Sequence, residues 1–271
     1  VRTKLFFKLI NLETKFKMCS VPPPPPMLTD VPVIRKPETS KKDFPVNSSS
    51  CSWAMEYPEL QKACIWSKVC LNNEPHKYQY QQLKSILQDG PTCGLVAISM
   101  LTEHISMKIL LNMAKAEGYT KNGEMFSCKN MAKLTEKALA NFPNVKVHLR
   151  KGDLCSEFVI NKLLNKCLLL VPYDADFNHS PCLKLGHRAH WAMICGIIVS
   201  KDGGPVYVVG RQGKSTHLGI WGLKELENSN KNLWKFSPKR EDDKLVYELP
   251  KGGLAGEFGI RDQYVIVEGL Y

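Results

Sequence analysis

Cys93 stands in the run Gly90-Pro91-Thr92-Cys93-Gly94-Leu95-Val96-Ala97-Ile98-Ser99-Met100, with Gln88 five residues upstream. The Gly-Pro pair makes a tight lead-in, and the apolar run behind the cysteine reads as a buried helix. A thiol at a helix start meets backbone N–H groups and the positive end of the helix dipole, which favour thiolate. A thiolate becomes a peptidase nucleophile when it has a base and an oxyanion donor. Gln88 can supply the donor, and His190, in His190-Trp191-Ala192, can supply the base. Gln, then Cys on a helix, then a distant His is the chain order of papain-like cysteine proteases.

His187 competes with His190 for the base. The third member should orient the imidazole through its other nitrogen. Gln212 follows the strand expected next to His190, while Asp174, Asp176 and Asn178 precede His190 in a loop. A rival constellation overlaps these residues. His179, Cys182, His187 and His190 have spacing fit for a zinc site, which would take His190 as a ligand. Only one of the four is a thiol, so we assign no metal. Gly94 is expected to let a substrate backbone approach the nucleophile.

These residues need elements to hold them. The 271 residues suffice for one sizeable core plus a tail. Helices are expected over 53–70, 94–106, 107–117, 128–140 (capped by Ser127) and 154–166. Strands are expected at Val145–Leu149, Cys167–Pro172, Ala189–Val199, Pro205–Gly210, His217–Trp221, Lys244–Glu248 and Gln263–Val267. Helices first and then a mostly antiparallel sheet is an α+β order, with the nucleophile helix packed on the sheet.

Residues 1–52 read as an unstructured, basic, proline-rich tail, and 53–271 as the protease domain. Pro22, Pro23, Pro24, Pro25 and Pro26 form an unbroken run that favours polyproline II, a ligand for aromatic-lined grooves. The chain opens on Val1, and Met18 is a candidate start. The net charge is +11, of which +5 lies in the tail. No basic block or aromatic-basic interleaving marks a nucleic-acid surface. No run reaches the roughly 18 apolar residues of a membrane span. Ten cysteines, mostly inside apolar runs, suit reduced thiols and a cytoplasmic location better than a disulfide framework.

Several motifs recur together. They are Gly90 to Ala97, Gly118-Tyr119-Thr120 with Gly123-Glu124-Met125-Phe126-Ser127, Pro172 to His179, Gly186 to Ala192, and Gln212-Gly213-Lys214-Ser215. Over about residues 80 to 240 the chain resembles the actin maturation protease family of cysteine proteases. The resemblance implies an aminopeptidase that removes acetylated Met or acetylated Cys from the actin N-terminus, with Cys93 as nucleophile and His190 as base. It also implies profilin as a partner of the proline run. An acidic actin N-terminus would call for positive charge near the site, and Lys184, Arg188, Arg211 and Lys214 are the candidates.

Overall fold

In the computed structural model, the described residues are 50–102, 104–201, 203–236 and 245–271. The tail expected over 1–52, with its proline run, lies almost wholly outside them. A 3-10 turn at Ser52–Ala54 leads into α1 (Pro58–Ser67) and a short strand β1 (Lys77–Tyr80). Three helices follow: α2 (Cys93–Ser99), α3 (Met107–Ala116) and α4 (Cys128–Ala138). Then come β2 (Lys146–Lys151), α5 (Glu157–Leu164), β3 (Leu168–Asp174) and β4 (Ala189–Val199). The chain ends with β5 (Val206–Gln212), β6 (Gly219–Gly222), α6 (Leu223–Lys231) and β7 (Gln263–Glu268).

The strands form one antiparallel sheet in the order β2-β7-β3-β4-β5-β6. The eleven-residue β4 is its spine. Its first half pairs with β3, its second half with β1, and its other edge with β5. Both faces are covered, so the central strands are buried along most of their length and mostly apolar away from the ends that carry Asp174, His190, Arg211 and Gln212. Leu168, Leu170, Trp191, Met193 and Val209 face a core shared with α1, α2, α3 and α4. Leu169, Val171, Tyr173, Ala192, Ile194 and Val208 face a second core shared with α5 and α6. Each such side chain contributes roughly 1.5–3 kcal/mol by leaving water.

Side-chain caps set the helix starts. Ser106, Ser127 and Ser156 each accept a hydrogen bond from the backbone N–H three residues on, at Ile109, Asn130 and Val159. The helix expected over 94–106 stops at Ser99 because Ser106 begins α3, and the chain must turn between them. Met100 and Leu101 stay buried without being helical beyond that turn, which is why the apolar run overstated the helix. The helix expected over 53–70 is shorter, with a 3-10 turn ahead of it. The strand expected at Lys244–Glu248 is not formed over its described residues, 245–248. Leu245 and Val246 there are exposed, and the backbone is spent on side-chain hydrogen bonds described below. Two elements escaped the sequence reading. β1 is short and half polar, and α6 carries Asn-Ser-Asn in place of strong helix formers.

Among the described residues, no helix is long and apolar enough to cross a membrane.

Candidate active site

Three strand ends meet at one edge of the sheet. β3 ends at Asp174, β4 begins at Ala189 and β5 ends at Gln212. Pairing sets Tyr173 opposite His190 and Ala192 opposite Gln212. Side chains alternate along a strand, so His190, Ala192, Tyr173 and Gln212 share a face, and His190 and Gln212 are diagonal neighbours. His190 Nε2 lies 3.1 Å from Gln212 Oε1.

That contact fixes a tautomer. The backbone N–H of Lys214 donates to the same Oε1 at 2.7 Å. An N–H can only donate, so the shared atom is the amide oxygen. His190 Nε2 must then carry its hydrogen, and Nδ1 holds the lone pair of the neutral ring. Tyr173 backs the imidazole edge to face, with ring centres 5.7 Å apart. Its hydroxyl donates to the His179 carbonyl at 2.8 Å. Burial first, then the nearby charges of Cys93, Asp176 and Cys182, push its phenol well above the usual range. Tyr173 is therefore a neutral wall.

Cys93 is the first residue of α2 and is half-buried. It lines a cleft of about 650 Å³, open mouth included, together with Gln88, His187, Arg188, His190 and Lys214. Burial raises the thiol pKa of all eight other described cysteines, for example to about 12 at Cys64 and Cys195.

Gln88 reaches the cleft from the loop before α2. Its backbone N–H donates to the Gly213 carbonyl at 2.6 Å, and its Nε2 donates to the Gly90 carbonyl at 2.7 Å. One amide hydrogen is thus engaged and a second is left, while the buried Oε1 makes no hydrogen bond. A Cβ on Gly213 would come within 2.9 Å of the Gln88 side chain, so glycine is required there.

Gly94 has a different role from the one expected. An added Cβ would lie 2.9 Å from Met125 Cβ and 3.2 Å from Trp191. The glycine admits the protein's own loop, and Trp191 Nε1 locks that loop by donating to the Met125 carbonyl at 2.8 Å.

The loop residues weighed as orienters are engaged elsewhere. Asp174 is fully buried and accepts from the backbone N–H groups of Lys184, Gly186 and Arg188, shaping the β3–β4 loop. Asp176 Oδ1 accepts from the N–H groups of Asn178 and Ser180. The geometry gives the zinc alternative no support. Among the described residues, no three His, Cys, Asp or Glu side chains gather closely enough to hold a metal ion, and His179, Cys182, His187 and His190 are all described.

Of the four basic candidates, Arg188 and Lys214 line the cleft. Lys184 and Arg188 both cover the ring of exposed Phe177, at 4.6 and 4.3 Å. Arg211 must be corrected. It precedes Gln212, so alternation turns it to the opposite face, where it is buried and forks onto Glu59 of α1 at 3.0 and 2.5 Å. It joins α1 to the sheet and does not line the cleft. Phe126, Phe236 and Tyr247 also line the cleft; Phe126 stands in one of the recurring motifs, and nothing local in the sequence marks the other two.

A helix start and a sheet edge sharing one cleft, inside an α+β domain of this order, define a papain-like protease architecture. Residues 83–198 match the sequence family described as "Actin maturation protease-like, C-terminal domain". The chain is 42% identical to the actin maturation protease of Drosophila melanogaster over 228 residues, covering 83% of this chain and 84% of that protein. It is 34% identical to that of Danio rerio, covering 63% and 68%, and 33% identical to that of Homo sapiens, covering 64% and 60%. The chain belongs to the actin maturation protease family.

Proposed function

We propose that this chain is a cysteine aminopeptidase that removes an N-acetylated Met or Cys from the actin N-terminus. The observation that carries this reading is the shared cleft of Cys93 and His190, with His190 Nε2 held by Gln212. The family relationship supplies actin as substrate.

The Cys93 thiolate attacks the carbonyl carbon of the acetylated residue. The carbonyl oxygen becomes an oxyanion, and the second Nε2 hydrogen of Gln88 and a backbone N–H at the start of α2 are its donors. Such a donor is worth roughly 3–4 kcal/mol. The imidazolium of His190 gives its Nδ1 proton to the leaving amine as the C–N bond breaks, leaving a thioester on Cys93. Neutral Nδ1 then takes a proton from water, whose oxygen attacks the thioester. The acetylated amino acid leaves and the thiolate returns. Gln212 holds the ring in the tautomer that both steps need.

Arg188 and Lys214 receive the acidic stretch after the scissile bond, with Lys184 beside them. We place the enzyme in the cytoplasm, with Pro22 to Pro26 as a profilin ligand that delivers profilin-bound actin.

Intact-mass analysis of an acetylated actin N-terminal peptide tests the chemistry. The protein should remove one acetylated residue, and Cys93→Ala should remove none while keeping its circular dichroism. Full activity in Cys93→Ala would overturn the mechanism. Alanines at Pro22 to Pro26 should spare peptide cleavage and slow cleavage of profilin-bound actin. Equal loss on both substrates would rule out delivery.

A further inference from the structure

Three aromatic rings from distant parts of the chain meet in the cleft. Phe126 and Phe236 have ring centres 4.6 Å apart, Phe236 and Tyr247 are 5.1 Å apart, and Phe126 and Tyr247 are 6.2 Å apart. Buried Met125, Trp191 and Ile260 add to the apolar lining, with Pro91 and Ala189. The basic residues Arg188 and Lys214 line the same cleft, both act electrostatically on His179, and Arg188 lies on Phe177. The cleft thus offers one apolar cluster and one cationic cluster.

Glu124 holds the apolar cluster together. Its carboxylate is buried and accepts from the Thr120 hydroxyl and from the N–H groups of Lys121 and Asn122, which shape the loop carrying Phe126. It also accepts from the N–H of Glu248 at 2.8 Å, next to Tyr247. Asn122 Nδ2 donates to the Val246 carbonyl at 2.7 Å, and Lys121 pairs with Glu248 at 3.3 Å. A segment with no regular structure is thereby pinned across more than a hundred residues of sequence, presenting Tyr247 to Phe126.

We infer that Phe126, Phe236 and Tyr247 form the specificity subsite for the side chain of the residue whose carbonyl Cys93 attacks, and that this subsite takes an unbranched apolar or thioether side chain. The inference rests on the aminopeptidase reading and deepens it. Aromatic faces with a methionine floor match a flexible, polarisable side chain, because sulfur packs favourably against ring edges. A charged side chain would lose its water there without gaining a partner. The acidic stretch goes to the cationic cluster, so the apolar cluster is left for the acyl residue. Glu124 is a positioning residue, acting through Tyr247 and Phe126.

The test uses the full chain and acetylated peptides of one acidic sequence beginning with Met, Cys or Ala. The readout is the ratio of kcat/KM for Met over Ala, which is independent of the folded fraction. Phe236→Ala and Tyr247→Leu should each lower that ratio about tenfold or more, the scale of losing apolar pocket contacts. Glu124→Gln should lower it as well. Binding of the Met and Ala peptides to Cys93→Ala protein is measured in parallel, with and without the ring substitutions. If both ring variants cleave with an unchanged Met-to-Ala ratio, the subsite is overturned while the aminopeptidase reading stands. If no peptide is cleaved but Met-selective binding depends on the rings, the aminopeptidase reading falls, and the rings stand as a Met-selective binding site without a role in cleavage. Binding without preference, together with no cleavage, overturns both.

Discussion

At the residue scale, the site depends on one amide oxygen. Gln212 Oε1 accepts from both His190 Nε2 and the Lys214 N–H, so it holds the ring and its own loop at once. Gln212→Glu would place a carboxylate 3.1 Å from Nε2. An opposite charge raises an imidazole pKa. In the proposed mechanism the imidazolium is the proton donor, and activity falls as pH rises through its pKa. The basic limb of the pH–rate profile should therefore move to higher pH in Gln212→Glu. An unmoved limb with reduced kcat would mean that Gln212 only shapes the loop. Gln212→Ala should lose roughly tenfold or more in kcat, because the ring is then free to turn.

At the element scale, α6 docks through a buried carboxylate. Glu227 accepts from Lys224 at 2.5 Å and Lys231 at 3.1 Å on its own helix, and from the Cys155 N–H at 3.4 Å ahead of α5. Burial works against its charge, but the hydrogen bonds from Lys224, Lys231 and Cys155 outweigh it and bring its pKa down to about 2. The sign follows directly. A carboxyl with a depressed folded-state pKa stabilises fully above its unfolded value, near 4.5, and loses that contribution as pH falls toward about 2. Urea unfolding should show stability dropping over that window. Glu227→Gln should cost on the order of 3 kcal/mol at neutral pH and flatten the acid dependence, because two lysines and the half-buried Cys155 N–H lose their charged partner. The same helix carries Ser229, whose hydroxyl receives the Asp174 N–H at 2.9 Å and donates to the Cys182 carbonyl at 2.8 Å. Loss of α6 docking would thus reach the loop that leads into His190.

At the scale of the whole molecule, an excess of positive charge meets a substrate proposed to be acidic. Exposed charges are screened over about 8 Å at physiological salt. Capture through Arg188 and Lys214 should therefore depend on salt. Arg188→Ala or Lys214→Ala should raise KM several-fold for an Asp/Glu-rich peptide and little for a neutral one, and added salt should shrink that difference. Equal behaviour toward both peptides at low salt would remove these residues from recognition. Arg211→Ala should behave differently. It breaks the ion pair with Glu59 that ties α1 to β5, so the loss should appear in stability.

The sequence by itself determined whatever depends on near neighbours. The Gly-Pro entry and apolar run placed Cys93 at a helix start, and the apolar stretch after His190 placed that residue at the start of a strand. The Ser127 cap marked where α4 begins, and one alternating stretch with several apolar runs marked most of the sheet. These are legible because capping and periodicity act within one or two turns or pleats. Tertiary structure alone decided the partners. Register set Gln212 diagonal to His190 and sent Arg211, one residue earlier, to the opposite face and Glu59. It gave Gly94 to Met125 and Trp191, and it gathered Phe126, Phe236 and Tyr247 through the Glu124 carboxylate. A side chain's local pattern fixes which way it points along its own strand or loop. Which distant side chain it meets depends on how strands pair and layers stack, and no local pattern carries that information.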